Sequence, residues 1–507
     1  MPNCAETHAT IYKGKFSSKS PTAALLSKDL AADTLPSAGL RFGVSWRQLH
    51  MRGQSQSQWS QLLRPLVMLM SVLVGLGWTS ALPTAAAQFD YEQPPIAYSQ
   101  TAACDRIARL AKAVESGERQ LKWDEQQGWL PALLQALEVS PESQTLVFSK
   151  TSLQIRHISP QNPRALFFSD DSYLGYVPGG DLIELSAVDP QLGPVFYTVE
   201  QTRRERPRIV RDENQCLTCH STSKTQGVPG YLVRSVFAGP DGQPLYGLGT
   251  TTTDHKTPLK DRFGGWYVTG QHGAMRHRGN SFAKNDPQRP LDLEAGANQA
   301  TIPAAARIAR YPRSGSDLVA LMVLEHQSQM HNFITAAQYE TRQAIAYQET
   351  MNQALDRPAG QRSESTTRRI HNAAEQLVRC LLFVDEYPLT SPIAGSSEFA
   401  REFERLGPKD SRGRSLRQFD LQTRLLKYPC SYLVYSEAFD QLPDEVKLRV
   451  GERLREILSA ENTEPGFAHL TPEIRTAIQE ILRETKPELM AESAIDKHRS
   501  KQGDAER

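Results

Sequence analysis

Two cysteines and a histidine form the pentapeptide that carries most of the chemical information in this chain, Cys216-Leu217-Thr218-Cys219-His220. With six Cys and twelve His among 507 residues, chance would produce this pattern roughly 0.002 times. At this spacing the two thiols can form thioether bonds to the vinyl groups of a haem, while the histidine ligates the iron. The pattern therefore predicts one covalently attached haem c, held by Cys216, Cys219 and His220.

Paired cysteines also occur in zinc sites and in thiol–disulfide centres, so these are the chemical alternatives. A structural zinc site needs a second pair of ligands. No second C-x-x-C and no histidine pair follows at the spacing of a zinc ribbon or finger. The haem interpretation is therefore the one that the sequence favours.

The region before residue 88 has the pattern of an export signal. It runs through a positively charged stretch, Arg52–Arg64, and a short apolar stretch, Pro65–Trp78, to Ala85-Ala86-Ala87. This order predicts a leader whose residues 51–87 are a Sec-type signal peptide with an A-x-A cleavage site. Residues 1–50 then either precede the true start or lengthen the first part of the signal.

Export agrees with the haem motif, because c-type haem is attached outside the cytosol. We therefore predict a periplasmic or otherwise exported protein. The apolar stretch is shorter than the about 20 residues that span a membrane. No stable membrane span is expected after signal cleavage, whereas an uncleaved leader would anchor the protein to the membrane.

The charges of the chain nearly balance, with 58 Lys and Arg against 57 Asp and Glu. This balance gives no basic field that would attract nucleic acid, and it does not identify a partner. The exported part also contains Cys104, Cys380 and Cys430, among which at most one disulfide can form. Cys380–Cys430 is the pair that we hypothesise.

Hydrophobic periodicity and turn residues predict an α+β fold. We assign residues 88–199 to a mixed α/β domain with short antiparallel strands, 200–316 to a haem-binding region with a β-hairpin, 317–486 to a mainly helical region and 487–507 to a polar, frayed tail. The predicted strands cover residues 146–148, 153–158, 165–168, 182–188 and 195–199, and the hairpin joins 231–237 to 245–252. The predicted helices cover residues 102–116, 129–137, 318–356, 363–382, 416–426 and 431–442, with two more that begin near Pro443 and Thr471.

The second axial ligand of the iron decides the chemistry, because Met or His closes the site for electron transfer whereas an open site binds small molecules. A glycine-rich aromatic stretch, residues 263–277, offers Met275, His277 and His272, in that order of preference. A further cluster recurs every four residues along the helix that follows: Met322, His326 and Met330. Such stripes are usual in protein cores, so this cluster ranks behind the first group.

Five arginines stand shortly before the motif: Arg203, Arg204, Arg206, Arg208 and Arg211. They could pair with haem propionates or dock an acidic redox partner. The alternative is a solvated face, which is what most runs of charge are.

Through Cys216, Cys219 and His220 the chain resembles the c-type cytochromes. The resemblance implies thioether linkage at both cysteines, proximal ligation by His220, attachment by the cytochrome c maturation machinery and electron transfer as the default activity. A hairpin is not part of a minimal cytochrome c core, so we expect an atypical cytochrome c region. Residues 167–190 and 266–270 are similar to large exported single-haem proteins of bacteria, which implies a shared architecture and no particular reaction.

We therefore expect an exported mono-haem protein that passes one electron at a time between redox partner proteins in the periplasm. A first alternative is a haem enzyme with an open distal site that acts on peroxide or a nitrogen oxide. Bacterial di-haem peroxidases carry two such motifs, whereas this chain has one. A second alternative is a redox or gas sensor whose helical region binds a partner.

Overall fold

The computed structural model describes residues 91–491, with gaps at 285, 287–290, 304–305 and 460. The predicted leader, residues 1–87, and residues 492–507 of the predicted tail lie outside the described residues. Helices and antiparallel strands occur together in this range, which confirms the α+β class. The domain boundaries predicted at residues 199 and 316 both fall inside one compact unit, Ala85–Arg507.

The helices and strands alternate irregularly along the described chain. The helices are α1 (Arg106–Ser116), α2 (Leu130–Ala136), α3 (Leu217–His220), α4 (Leu318–Ala354), α5 (Glu364–Leu381), α6 (Phe399–Arg405), α7 (Glu437–Asp440), α8 (Asp444–Leu458), α9 (Pro472–Thr485) and α10 (Pro487–Met490). The strands are β1 (Thr145–Val147), β2 (Arg164–Phe168), β3 (Ser172–Tyr176), β4 (Leu182–Asp189), β5 (Gly193–Glu200), β6 (Ile209–Arg211), β7 (Val233–Val236), β8 (Thr250–Thr253), β9 (Trp266–Tyr267), β10 (Gly270–Gln271) and β11 (Ala394–Gly395).

The main sheet has seven strands in the order β6-β5-β4-β3-β2-β1-β9, and all neighbouring strands are antiparallel. Its longest hairpin, β4–β5, turns where Asp189-Pro190 predicts a turn. The Asp189 carboxylate accepts hydrogen bonds from the backbone N–H groups of Gln191 and Leu192 at 2.8 and 3.0 Å. Gly193 then takes a positive φ of 67°, which glycine adopts without steric cost.

The strand β9 comes from the segment that we assigned to the haem region, yet it completes the sheet of the preceding segment. Trp266 lies opposite Val147, and Tyr267 lies opposite Leu146. The predicted hairpin of the haem region is confirmed as the separate pair β7–β8, in which Val233 lies opposite Thr253. In the sequence, the C-x-x-C-H motif on α3 therefore lies between β6 of the main sheet and β7 of this second, two-stranded sheet.

The long helix α4 is the centre of the packing. Asp317 caps it by accepting hydrogen bonds from the N–H groups of Val319 and Ala320 at 2.8 and 3.0 Å. Every residue from 318 to 332 is buried, and the helix contacts β5 on one side and α5 and α8 on another. A helix buried all round connects the sheet to the helical region, so these two parts share one core. Within the described residues, no helix is long and apolar enough to cross a membrane.

Two predicted elements are wrong. Residues 153–158 form turns instead of a strand, and Leu153 and Ile155 are about half exposed. Both edges of the neighbouring strand β1 are already paired, with β2 and β9, so no edge is free for them. Residues 416–426 form no helix, because the Asp420 carboxylate accepts hydrogen bonds from three successive N–H groups of a tight turn.

Two further predictions need smaller corrections. Residues 431–442 divide into a 3-10 turn, Tyr432–Tyr435, and the short helix α7, because Ser431 and Ser436 each cap a new turn. The tail was expected to fray after Lys486, but its first residues form α10. Leu489 and Met490 are buried there, since α10 packs against α8 and α9.

Candidate functional site

The haem motif is one short turn of helix. Cys216 precedes α3 and accepts hydrogen bonds at its carbonyl from the N–H groups of Cys219 and His220, at 3.1 and 2.9 Å. The Asp212 carboxylate fixes the start of the turn, since it accepts the Cys216 N–H at 2.9 Å. Cys216 is half-buried and Cys219 is exposed. The two thiols and the imidazole are thus presented together, within five successive residues.

The surroundings of Cys216 bear on the thiol–disulfide interpretation. Burial, followed by the negative charges of Asp212 and Glu184, raises the pKa of the Cys216 thiol to about 12. Redox-active C-x-x-C pairs have a cysteine whose pKa is lowered, because the thiolate is the nucleophile. The arrangement therefore disfavours a thiol–disulfide centre.

The zinc interpretation also lacks support at this position. Among the described residues, the grouping of three or more candidate metal ligands consists of His255, His326 and Cys380 and includes neither cysteine of the motif. Two thiols and one histidine without a further ligand do not make the closed four-ligand shell of a structural zinc site.

The imidazole of His220 is oriented by its backbone neighbours. Its Nδ1 donates a hydrogen bond to the Gly230 carbonyl at 2.9 Å, and the Gly230 N–H donates to the His220 carbonyl at 2.7 Å. The ring lies against Phe196, with 4.8 Å between ring centroids. Burial lowers the pKa of His220, which favours the neutral ring that metals bind. Within the part of the chain that the structure describes, Nε2 has no hydrogen-bond partner, so it is the atom available to an iron.

The Gly230 segment is held in turn by α4. The Asn332 side chain accepts the Tyr231 N–H at 2.8 Å and donates to the Tyr231 carbonyl at 2.7 Å. A Cβ at position 230 would lie 2.4 Å from the Asn332 Oδ1 and 2.8 Å from the Thr225 Cβ. Only glycine fits this approach, so His220 is connected to the central helix through one glycine and one asparagine.

A half-buried ion pair lies beside the motif. The Arg164 guanidinium on β2 crosses over Gly175 of β3 to reach Glu184 on β4, and a Cβ at position 175 would lie 2.4 Å from the guanidinium. Both charges act on Cys216 and on His220. Arg164 Nε and Glu184 Oε1 are buried without a hydrogen-bond partner.

These residues fit a haem group on three observations. The proximal ring has one nitrogen bonded to a carbonyl and the other without a partner, which is the usual arrangement of a metal-bound histidine. Cys219 is exposed, so it is accessible to a vinyl group. The unpaired Nε of Arg164 is a buried donor beside the motif, where a propionate would be a suitable acceptor.

The three preferred candidates for the distal ligand lie in a loop with contacts of its own. The two ring nitrogens of His272 are both used: Nδ1 donates to the Met275 carbonyl at 2.6 Å, and Nε2 accepts the Asn298 N–H at 2.9 Å. The Met275 sulfur accepts the Thr390 N–H at 3.4 Å. His277 is buried beside His272, and neither of its ring nitrogens has a partner.

The structure does not bring these candidates together with His220. Their loop follows β10, whose Gly270 approaches Leu318 at the start of α4, whereas the His220 segment is held by Asn332 of the same helix. Fourteen residues of α-helix span about 21 Å. This separation argues against a contact between the loop and the His220 segment, and the role of the loop as distal ligand stays a prediction.

The second cluster of candidates belongs to the core, as its spacing indicated. Met322, His326 and Met330 are all buried on α4. His326 is bonded through both ring nitrogens, to His255 and to Ser431. The hypothesised Cys380–Cys430 disulfide is wrong in this structure, because both residues are buried as separate thiols.

Most of the arginines before the motif already have local partners. Arg203 and Arg204 form exposed ion pairs with Glu125 and Glu200. Arg206 and Arg211 donate to backbone carbonyl groups, Arg211 to those of Tyr98 and Thr101 at 2.8 Å. These contacts fit a structural use of the basic run, while Arg208 is exposed.

A group that the sequence did not reveal is the buried cluster of His255, His326 and Cys380, whose ligand atoms lie within 4.8 Å of one another. The residues lie far apart in the sequence, so no motif spacing predicts that they lie together. The only signal was the position of His326 on a buried helical face.

Comparison of the chain with family models, with curated proteins and with solved structures finds no match.

Proposed function

We propose that the chain is an exported c-type cytochrome with one covalent haem, which transfers single electrons between periplasmic partner proteins. The observation that carries the proposal is the geometry of His220: it stands on the same helical turn as two thiols, its Nδ1 is bonded to the Gly230 carbonyl, and its Nε2 has no partner among the described residues.

The chain supplies specific groups for this role. Cys216 and Cys219 would hold the haem by thioether bonds, and His220 Nε2 would ligate the iron. The hydrogen bond from Nδ1 to Gly230 fixes the plane of the imidazole and increases its basicity, as such outer contacts do at metal sites. A bound haem supplies reversible one-electron chemistry at the iron.

Partner proteins and export are part of the same proposal. The leader pattern over residues 51–87 supports delivery to the periplasm, where the maturation machinery attaches c-type haem. The exposed thiol of Cys219 indicates that one edge of a bound haem would face the surface, where electrons can enter or leave.

A second candidate function is supported by the position of Met275, His272 and His277 near the start of α4. If none of them reaches the iron, the distal side is open unless another group closes it. An open site would favour a haem enzyme acting on peroxide or a nitrogen oxide, or a gas sensor.

Covalent attachment is tested by expressing the full chain together with the maturation machinery and denaturing it. We expect haem to remain with the polypeptide in wild type and to be lost from the Cys216→Ser/Cys219→Ser double variant. Cys430→Ser is the matched control, because it removes a thiol that lies outside the motif, and it should retain haem. Wild-type protein that is exported and folded but releases its haem on denaturation contradicts the proposal.

The two functions are separated by the visible spectrum of the reduced protein with and without carbon monoxide. A low-spin spectrum that ignores carbon monoxide supports the electron carrier, and ready binding supports the enzyme or sensor. We expect Met275→Ala and His277→Ala to leave the spectrum unchanged, because their loop follows Gly270, which approaches Leu318, and about 21 Å of α4 separates Leu318 from Asn332. A change to high-spin iron in one variant identifies that residue as the ligand.

A further inference from the structure

The buried cluster of His255, His326 and Cys380 brings together side chains from three separate parts of the chain. His255 follows β8, His326 lies on α4 and Cys380 lies near the end of α5. Their exposed fractions are 3%, 0% and 2%. We propose that these three side chains bind a zinc ion, whose fourth position is open to an adjoining cavity. The site goes beyond the proposed haem function and does not depend on it.

The outer hydrogen bonds of the two histidines point their Nδ1 atoms at each other. His255 Nε2 lies 3.3 Å from the Val384 carbonyl, which can only accept, so this nitrogen carries the hydrogen and Nδ1 carries a lone pair. His326 Nε2 lies 2.9 Å from the Ser431 hydroxyl. Metal-bound histidines commonly have this arrangement, in which the far nitrogen donates to a carbonyl or hydroxyl oxygen.

The distance between the two Nδ1 atoms is 3.3 Å. Two nitrogens at about 2.05 Å from a tetrahedral zinc ion are separated by about 3.3 Å, so the spacing is compatible with two ligands of one zinc ion. When both far nitrogens donate, both Nδ1 lone pairs are free to bind one cation, which replaces the Nδ1–Nδ1 hydrogen bond of the metal-free form. The ion would lie beside the line that joins the two atoms, about 2.05 Å from each.

Cys380 supplies the third ligand. Burial raises the pKa of its thiol and lowers the pKa of His255 to about 4, so the histidine is already neutral near pH 7 while the thiol is protonated. On binding, the S–H bond of Cys380 breaks, a zinc–sulfur bond forms, and the proton passes to the solvent. Two imidazoles and one thiolate form a donor set that zinc accepts.

The surrounding groups fix the cluster without adding a ligand. Arg262 donates to the His255 carbonyl at 2.9 Å and pairs with the buried Glu325 carboxylate at 3.1 Å. The Tyr387 N–H also donates to the His255 carbonyl, at 2.9 Å. The His326 ring stacks on Phe383 at 3.9 Å between centroids. Both imidazoles are therefore held in place before a metal arrives.

A cavity of about 260 Å³ adjoins the cluster and is lined by His255 and Cys380. It also reaches Lys224 and Gln226, which closely follow the haem motif, and Gln329 of α4. Water or a small anion in this cavity could occupy the fourth position on the metal. Three protein ligands with one open position are the arrangement of catalytic rather than structural zinc sites.

The test is a metal analysis of the full-length protein, with zinc and iron quantified separately, combined with X-ray absorption at the zinc edge. We expect about one zinc per chain, with one sulfur at about 2.3 Å and two nitrogens at about 2.0 to 2.1 Å. The absorption measurement uses wild type, so it does not depend on whether a variant folds. Absence of zinc after incubation with excess zinc overturns the proposal, as does a zinc environment that lacks sulfur.

Variants provide an independent measurement. Zinc should raise the unfolding temperature of wild type and of Cys430→Ser, but not of His255→Gln or Cys380→Ser. Cys430 is the matched control because it is also a buried thiol. Equal zinc content in Cys380→Ser and Cys430→Ser would show that the metal binds elsewhere. In the metal-free alternative, Ser431 donates to His326 Nε2 and His326 Nδ1 donates to His255; wild type would then bind no zinc.

Discussion

At the scale of single residues, the motif was readable from the sequence, but the groups that orient it were not. Cys216, Cys219 and His220 are adjacent, so residue types and spacing alone identify them. Gly230 and Asn332 are a glycine and an asparagine in unremarkable stretches, and only the fold brings them to the imidazole. Their contribution arises from tertiary contacts, which leave no local pattern.

Asn332→Ala is the residue-scale prediction, because it leaves the N–H and the carbonyl of Tyr231 unpaired in the core. Each unsatisfied buried group costs about 1 to 3 kcal/mol, so with two such groups we expect the free energy of unfolding to fall by about 2 to 6 kcal/mol. If the proposed haem is bound, its visible spectrum should also change, since the Gly230 carbonyl that orients His220 loses its support. Urea denaturation and visible spectroscopy measure the two effects.

Asn352→Ala is the control for this variant. Asn352 lies on the same helix and is buried, but it donates one hydrogen bond, to the Gln361 carbonyl, away from the motif. We expect a loss of about 1 kcal/mol and an unchanged spectrum. Equal spectral changes in the two variants would contradict the orienting role of Asn332.

At the scale of elements, the sequence predicted those whose signals are local. The helix α4 begins after an Asp cap, and the β4–β5 hairpin turns at Asp189-Pro190, where side chain and backbone interact within a few residues. The predicted helix over residues 416–426 does not form, because the Asp420 side chain stabilises a tight turn instead. Residues 153–158 alternate like a strand, but both edges of the neighbouring strand β1 are already paired.

Asp317→Ala is the element-scale prediction. One carboxylate oxygen caps α4, and the other accepts hydrogen bonds from Ser396 N, Ser397 N and the Ser397 hydroxyl at 2.7 to 2.9 Å. Loss of a cap alone costs about 1 kcal/mol. We expect a larger loss here, about 2 to 4 kcal/mol, because two part-buried N–H groups of a second segment also lose their acceptor.

Thr471→Ala is the matched control, since Thr471 caps α9 with a single hydrogen bond to Ile474 N at 3.4 Å. Its cost should stay near 1 kcal/mol or below. Calorimetric unfolding of both variants decides the matter. Equal losses would mean that Asp317 is an ordinary cap and does not tie the two segments together.

At the scale of the whole molecule, contacts between residues that are distant in the sequence could not be predicted from local patterns. The strand β9 joins a sheet whose other strands precede the haem motif, and His255, His326 and Cys380 meet from three separate elements. Hydrophobic periodicity describes one helix or strand at a time. It therefore predicted the α+β class but not these long-range contacts. They depend on which faces pack together, a property of the whole chain.

The pH dependence of stability is the prediction at this scale. Burial lowers the pKa of His331 to about 4, while its Nε2 donates to the Asp170 carbonyl at 2.9 Å. An unfolded histidine takes up its proton near pH 6.5, before the folded one does. The stabilisation is therefore complete above about pH 6.5 and is lost as the pH falls toward 4, with a slope of at most about 1.4 kcal/mol per pH unit for this proton.

His331→Gln should flatten this part of the profile, because glutamine can donate to the same carbonyl but does not titrate. Urea denaturation between pH 4 and 7 measures the slope. His371→Gln is the control, since His371 is exposed on α5, and its profile should match that of wild type. An unchanged slope in His331→Gln would show that this histidine does not contribute to acid sensitivity.

The position of β9 has a consequence for the timing of maturation. During synthesis, the chain emerges with β1 first and the C-x-x-C-H motif later, and Trp266 and Tyr267, which complete the sheet beside β1, follow the motif. Asn332, whose side chain binds the backbone of Tyr231 next to Gly230, emerges later still. If the proposed haem is attached as the chain arrives, the modifying enzyme would meet the two cysteines before their domain can close around them.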